Sequence, residues 1–176
     1  MDMAALAEVG RNPANEVVAP AKAAGAPRLV IINPNWINGP QLQPGDPCGN
    51  SLPMCAKMMN GNFLWMKEKI PNDSMSHVDV RDLADMHVAA VTNADASGRY
   101  FGVDRSYPWV EIFTALQAAV PGLKIPPRGF EGEPAIPTQF DFARRDSLLP
   151  GTKLRPMSET MADVAAQLKA IGALPK

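Results

Sequence analysis

Two histidines and three aspartates lie close together between His77 and His87, and both residue types can bind a metal ion. The aspartates Asp79, Asp82 and Asp85 recur at every third residue, whereas the histidines stand at opposite ends of the segment. This spacing is neither the H-E-x-x-H pattern of zinc sites nor a calcium loop. Acidic residues at a helix start are also stabilised by the helix dipole. We therefore expect Asp79 to cap a helix in a capping-box-like start with Asp82, and metal binding is the alternative.

Other common catalytic patterns are missing from the sequence. It contains no G-x-S-x-G nucleophile turn and no G-x-G-x-x-G phosphate-binding turn, and neither cysteine has a histidine nearby. Cys48 and Cys55 are too far apart for a Cys-x-x-Cys site. Two reduced, partly buried thiols are expected, and one local disulfide is the alternative. The residues alone identify no catalytic site.

The composition is that of a folded protein of 176 residues, with 46% hydrophobic and 20% charged side chains. A nucleic-acid-binding protein normally needs a concentrated basic face, and the net charge of −1 gives no sign of one. No apolar run approaches the roughly 18 residues that cross a membrane, and the first residues do not resemble a secretory signal. We expect a cytoplasmic protein that binds neither nucleic acid nor membrane. The 18 prolines predict many loops.

A short apolar run and the loop after it are the best candidates for a binding site. Residues 28–33 read as a strand buried on both faces of a parallel sheet, preceded by a weak helical signal at 13–25. Residues 34–50 contain four prolines and three glycines, so we expect a loop without regular structure. Loops that follow parallel strands line ligand crevices. A plain surface connection is the alternative.

The remaining pattern predicts alternating helices and strands. Helices are expected at 51–59, from 80 onward, at 109–120, at 143–149 as a short turn, and from a Ser158 cap to Gly172. Short strands are expected at 75–78, 99–103 and, at a sheet edge, 138–142, with an extended connector at 123–137. The helix after Asp79 should bury the face formed by Val80, Leu83, Ala84, His87, Val88 and Val91. Met58 and Met59 are expected in the core.

Four strings of residues resemble one enzyme family in the same order along the chain. They are LVIINPNWINGPQLQP, HVDVRDLADMHVAAV, SGRYF and DSLLPGTKLRPMSETMADVAAQLKAIGALP. They are similar to the extended short-chain dehydrogenases/reductases, the NAD-dependent epimerase/dehydratase family. The branch is that of dihydroflavonol reductase, cinnamoyl-CoA reductase and 3β-hydroxysteroid dehydrogenase. The resemblance covers roughly residues 14–175 and only the C-terminal half of the family's length.

The resemblance implies an α/β fold: the C-terminal portion of a Rossmann-like doubly wound parallel sheet, plus a small substrate-side α/β subdomain. Residues 1–49 would form the end of the Rossmann-like core. Residues 50–176 would form the substrate-side subdomain with returning core elements and no independent second domain. Asp79, Arg81 and Asp82 match the family motif, and we expect them to have a structural role between the two parts.

By resemblance, the activity would be an NAD(P)-dependent oxidation or reduction of a carbonyl or CH–OH group on a small molecule. The residues implied near NAD or NADP are Pro34, Asn35, Trp36 and Ile37. Those implied near substrate are Gly39, Pro40 and Met54, with Trp36 as a further candidate.

Two family features have no counterpart in this sequence, so we assign no catalytic residue. The family's Tyr-x-x-x-Lys would fall near Ala7 or Glu8, and both it and the glycine-rich turn for the dinucleotide are missing. We expect the isolated chain not to bind NADPH at micromolar concentration. The alternative is a non-catalytic relative that binds a ligand, or a partner or second copy covering the sheet edge at 28–33.

Overall fold

A computed structural model describes residues 28–174 of the chain. The helical signal at 13–25 and the beginning of the expected core portion lie outside these residues. The strands are β1 Val30–Asn33, β2 Trp36–Asn38, β3 Ser74–Asp79, β4 Gly98–Phe101 and β5 Arg105–Pro108. The helices are α1 Ser51–Met59, α2 Val80–Thr92, α3 Trp109–Ala119, α4 Ala143–Leu148 and α5 Met157–Ala170. None of the helices in residues 28–174 is long and apolar enough to span a membrane.

The strands of the described region form two small sheets. β1 pairs with β4 in parallel, and β2 pairs with β3 in parallel while β3 pairs with β5 in antiparallel orientation. The α/β class and its parallel pairing are therefore confirmed. The expectation that residues 34–50 contain no regular structure is wrong, because Trp36–Asn38 form β2 through backbone pairing with β3, a contact distant in sequence.

The strand β1 is less buried than its apolar sequence predicts. Val30, Ile31 and Ile32 are half-buried and Asn33 is exposed, so the expectation of burial on both faces is wrong. Within residues 28–174, β1 pairs with β4 alone, and this leaves its other edge without a strand. Within the part of the chain that the structure describes, β1 is therefore an edge strand.

The main core lies between the β2-β3-β5 sheet and the helices α1, α3 and α5. Met58 is completely buried and Met59 nearly so, which confirms both as core residues. Cys55 is buried in the same cluster and Cys48 is exposed, and both thiols are free. Met58 and Met59 lie on the same face of α1 as the buried Cys55. Cys48 is exposed because it lies in the loop before this helix.

The helix positions are predicted well, but the residues that begin them are not. The bounds of α1, α3, α4 and α5 agree with the expected segments to within one or two residues at most ends. The expectation that Ser158 caps α5 is wrong, because Pro156 stands at the N-cap position of that helix. Asn50 stands at the N-cap position of α1 and makes no side-chain cap hydrogen bond.

No edge strand forms at 138–142, which corrects that prediction. Phe140 packs instead against the ring of Phe101, with ring centroids 5.0 Å apart, and stacks on Phe142. This segment is therefore held by contacts between aromatic rings and not by the backbone hydrogen bonds of a strand.

The buried face of α2 differs from the expected one. Its buried residues are Asp82, Leu83, Met86 and Ala90. Val80, Val88 and Val91 are 37%, 62% and 76% exposed, and Ala84 and His87 are exposed as well. Of the expected face, only Leu83 is buried, and it packs with Met86 and Val78 in a small apolar cluster. Asp82 lies on the same side of α2 and accepts a hydrogen bond from the backbone N–H of Arg155 at 2.7 Å.

Candidate functional site

The segment between β2 and α1, residues 39–50, is called the crevice loop below. A cavity of about 510 Å³ lies where this loop passes the beginning of α2. One wall is the loop with the first residues of α1, and the other is the first two turns of α2. Its lining includes Ile37, Gly39 and Pro40 from the expected site, together with Leu52 and Ala84. The structure therefore brings three of the expected site residues together around one cavity.

The other expected site residues lie away from the lining. Pro34 and Asn35 are exposed at the turn between β1 and β2. Trp36 is buried in the main core, where its ring lies 5.9 Å from that of His77, and Met54 packs against the same core. The roles expected for these four residues toward cofactor or substrate stay predictions.

The close approach of the loop to α2 requires a glycine. Gly39 has a φ of +146°, a conformation that other residues rarely adopt. A Cβ atom at this position would lie 2.5 Å from Cγ1 of Val80 and 3.3 Å from Oδ1 of Asp79. Only the absence of a side chain lets the loop form one wall of the cavity against the first turn of α2.

Gln41 organises the rest of the loop, and the sequence analysis did not identify it. Its side-chain amide donates to the carbonyl oxygens of Gln43 at 3.0 Å, Gly45 at 3.1 Å and Asp46 at 3.2 Å. Its Oε1 accepts a hydrogen bond from the backbone N–H of Cys48 at 3.0 Å. The segment from 41 to 48 therefore curls around one side chain. A glutamine in a proline-rich loop has no local pattern that would have revealed this role.

The polar residues at the start of α2 form a network of hydrogen bonds. Asp79 caps the helix by accepting from the N–H of Arg81 at 2.8 Å, which confirms the expected cap. Its carboxylate also accepts from Nε and Nη2 of Arg81 at 2.9 and 2.8 Å, and from Oγ1 of Thr160 at 2.7 Å. Burial acts to raise the pKa of Asp79, but the hydrogen bonds from Arg81 and Thr160 outweigh it and lower the pKa.

Asp82 does not complete a capping box, which corrects that expectation. Its carboxylate accepts from the backbone N–H of Arg155 at 2.7 Å and pairs with the guanidinium of the same residue. Burial raises the pKa of Asp82 despite this partner. Asp79 and Asp82 together fasten the start of α2 to the segment 155–160.

The two histidines have different surroundings. His77 is completely buried between the rings of Trp36 and Tyr107, and burial lowers its pKa to about 4. His87 is exposed on α2, and its Nδ1 lies 2.7 Å from the carbonyl oxygen of Leu83. Among residues 28–174, no three His, Cys, Asp or Glu side chains are grouped to hold a metal ion.

Comparison with known proteins relates this geometry to a family. No protein-family model matches the chain. A cinnamoyl-CoA reductase of Medicago truncatula is 28% identical over 141 residues, which is 80% of this chain and 41% of that protein. An NADPH-dependent methylglyoxal reductase of Saccharomyces cerevisiae is 27% identical and matches 80% of this chain and 42% of its own length. The crystal structure of yeast methylglyoxal/isovaleraldehyde reductase Gre2 with NADPH superposes with a TM-score of 0.69 at 26% identity. That match covers 90% of this chain and 48% of the yeast chain.

The homologues found for this chain are cinnamoyl-CoA reductases and Gre2, which belong to the short-chain dehydrogenase/reductase superfamily. The chain is similar to the C-terminal portion of these reductases and spans less than half the length of the curated relatives. UDP-glucose 4-epimerase from Bifidobacterium longum, at 17% identity and a TM-score of 0.63, shares the fold. In this chain, the two walls of the cavity are the loop that begins with the G-P-x-L string at residues 39–42 and the helix that begins within the V-D-V-R-D string at residues 78–82.

Proposed function

We propose that this chain forms the substrate-side half of an NAD(P)-dependent reductase that acts on a carbonyl or CH–OH group of a small molecule. The observation that carries the proposal is the cavity of about 510 Å³ between the G-P-x-L loop and α2. This volume lies in the range of small-molecule sites. The similarity to reductases that are named for small-molecule substrates supports the same activity.

The cavity lining favours a small, mainly apolar substrate. Ile37, Leu52 and Val80 provide apolar surface, while Arg81 and Ser51 provide polar groups at the same cavity. Apolar walls with a few polar groups bind and orient small organic molecules. Isovaleraldehyde, which is named for the yeast structure, has this character and serves as a probe.

The start of α2 is not available as a site for the pyrophosphate of NAD or NADP. Such a site uses free N–H groups at a helix start after a glycine-rich turn. At the β3–α2 junction beside the cavity, the carboxylate of Asp79 already caps the helix.

Binding of isovaleraldehyde to the chain tests the proposed substrate site. Ala84→Phe adds a ring to the cavity wall, and we expect it to weaken binding roughly tenfold, as measured by titration with NMR detection. Val88→Phe is the matched control, since Val88 lies one turn further along α2 and is 62% exposed outside the lining. Equal affinity in both variants, or no binding by the unmodified chain at millimolar concentration, would contradict the proposal.

Partner binding is a second candidate function, which the exposed stripe of α2 favours. This stripe consists of Val88 and Val91, which lie on α2 beyond the cavity lining and are 62% and 76% exposed, and β1 beside it pairs on one edge only within residues 28–174. Right-handed crossovers would place the helix of an added strand on the same sheet face as α2. We propose that the occupant is a dinucleotide-binding half that adds a strand to β1 and a helix along this stripe.

Complementation by such a half tests this second candidate. The unmatched portion of the yeast reductase is mixed with the chain, and association is measured by light scattering after gel filtration. We expect Val88→Asp combined with Val91→Asp to weaken association at least roughly tenfold, because charges in an apolar contact must be desolvated. Ile136→Asp, at an 88% exposed position outside the stripe, is the control. Self-association of the chain alone, or unchanged association of the double variant, would contradict this occupant.

A further inference from the structure

Three polar residues on one face of α5 contact both walls of the cavity. Thr160, Asp163 and Gln167 are spaced by three and four residues, so their side chains project from the same side of the helix. Two of them hold the wall formed by α2. Thr160 donates to the carboxylate of Asp79 at 2.7 Å, and Asp163 pairs with Nη1 of Arg81 at 2.8 Å.

Gln167 holds the opposite wall, the crevice loop. Its Oε1 accepts from the backbone N–H of Gln41 at 2.8 Å, and its Nε2 donates to the backbone carbonyl of Gln41 at 2.6 Å. One primary amide therefore satisfies both backbone groups of a residue 126 positions away. Gln41 is the residue whose side chain organises positions 43 to 48. Fixing its backbone therefore fixes the whole loop.

We propose that Gln167 is a positioning residue that sets the distance between the crevice loop and α2, and hence the shape of the substrate cavity. Its link to substrate rests on the proposed function. Thr160 and Asp163 fix α2 to α5, and Gln167 fixes the loop to the same helix, so α5 couples the two walls. The amide is required because it both donates and accepts. A carboxylate would lose the donor, and an apolar side chain would lose both groups.

Hydrogen exchange in the variant Gln167→Leu tests the positioning role directly. We expect the backbone amides of Gln41 and Cys48 to exchange at least roughly tenfold faster, because the loop loses its attachment to α5. Gln117→Leu is the matched control: Gln117 also donates from a helix to a loop carbonyl, that of Leu123 at 3.0 Å. This control should leave the exchange of the crevice loop unchanged. Unchanged loop exchange in Gln167→Leu would overturn the proposal.

Cys55 distinguishes local loosening from unfolding in this experiment. It is completely buried, and burial raises the pKa of its thiol to about 12, so it reacts with thiol reagents only when the core opens. We expect Cys55 to stay unreactive in Gln167→Leu under native conditions, while the exposed Cys48 reacts in every variant, so the two thiols are distinguished by peptide mass mapping. If Cys55 reacts, Gln167→Glu supplies the measurement, since it keeps the length and the acceptor but loses the donor to the carbonyl of Gln41.

Titration with isovaleraldehyde separates this proposal from the proposed function. We expect Gln167→Leu to bind it about five- to tenfold more weakly than the unmodified chain, with Gln117→Leu unaffected. If the loop loosens but the unmodified chain binds no aldehyde, the positioning role stands and the proposed function fails. If the chain binds the aldehyde and the variant binds it equally well, the positioning role fails and the proposed function stands.

Discussion

His77 is an ionisable side chain at the centre of the main core, edge-on to the rings of Trp36 and Tyr107. Neither ring nitrogen has a hydrogen-bond partner in the described part of the chain. Burial lowers the pKa of His77 to about 4, and the negative charge of Asp79 opposes this shift. The folded protein therefore holds this imidazole neutral at pH values where the unfolded chain would protonate it.

Acidification should destabilise the fold through His77. The unfolded state takes up a proton below the ordinary pKa of 6.5, and the folded state does so only near 4. The contribution of neutral His77 to the free energy of unfolding is therefore fully present above about pH 6.5, and it is lost progressively as the pH falls to 4. The loss is on the order of 3 kcal/mol, measured by urea unfolding at a series of pH values. His87→Gln should keep the same pH dependence, whereas a His77→Gln variant that kept it would contradict this assignment.

At the scale of elements, the junction between β3 and α2 is fastened by charged side chains. Asp79 and Asp82 are buried and have arginine partners, and Thr160 of α5 donates to Asp79. A buried carboxylate with several donors is costly to alter, because the donors lose their acceptor. This junction fixes the direction in which α2 leaves the sheet and therefore positions one wall of the cavity.

Asp79→Asn should destabilise the protein by about 2–3 kcal/mol, measured by urea unfolding near neutral pH. Asparagine retains the helix cap but loses the charge that pairs with Arg81. Because the side chain of Arg81 is 34% exposed, solvent screens part of this loss. Asp85→Asn, at an exposed position on the same helix, is the control and should change stability by less than about 0.5 kcal/mol. Equal effects in both variants would show that the junction is not held by this charge.

At the scale of the whole molecule, apolar burial is unevenly distributed. The main cluster joins α1, α3 and α5 and includes Phe113, Leu116 and Met161. The clusters beneath β1 and β4 are small, and one consists of Ala96, Tyr100 and Leu148 with partly buried neighbours. Regions with less buried apolar surface open at lower free energy.

Hydrogen exchange should therefore divide the molecule into two regions. We expect amides in α3 and α5 to be protected at least roughly tenfold more strongly than those in β1 and β4. The reason is that β1 is half-buried and, within residues 28–174, paired on one edge only. The strand β3, which is paired on both edges, serves as an internal reference. Equal protection throughout would indicate one cooperative unit.

Local patterns predicted the helices and the cap of α2, because these depend on residues a few positions apart. Asp79 lies directly before the helix that it caps, and Met58 and Met59 follow the spacing of a buried helix face. The sequence missed β2 and β5, since a strand of three or four residues forms only when a partner strand is present. It also missed Gln41 and Gln167, whose hydrogen bonds join positions 126 residues apart.

The order of motifs along the chain determined the fold class and the relationship to a reductase family. It also identified Ile37, Gly39 and Pro40, which line the cavity. Only the tertiary structure decided which face of α2 is buried and how the two walls of the cavity are held. The physical reason is that hydrophobic periodicity describes one element at a time. The buried face and the cavity depend on contacts such as Asp82 with Arg155 and Gln41 with Gln167, which exist only after the chain has folded.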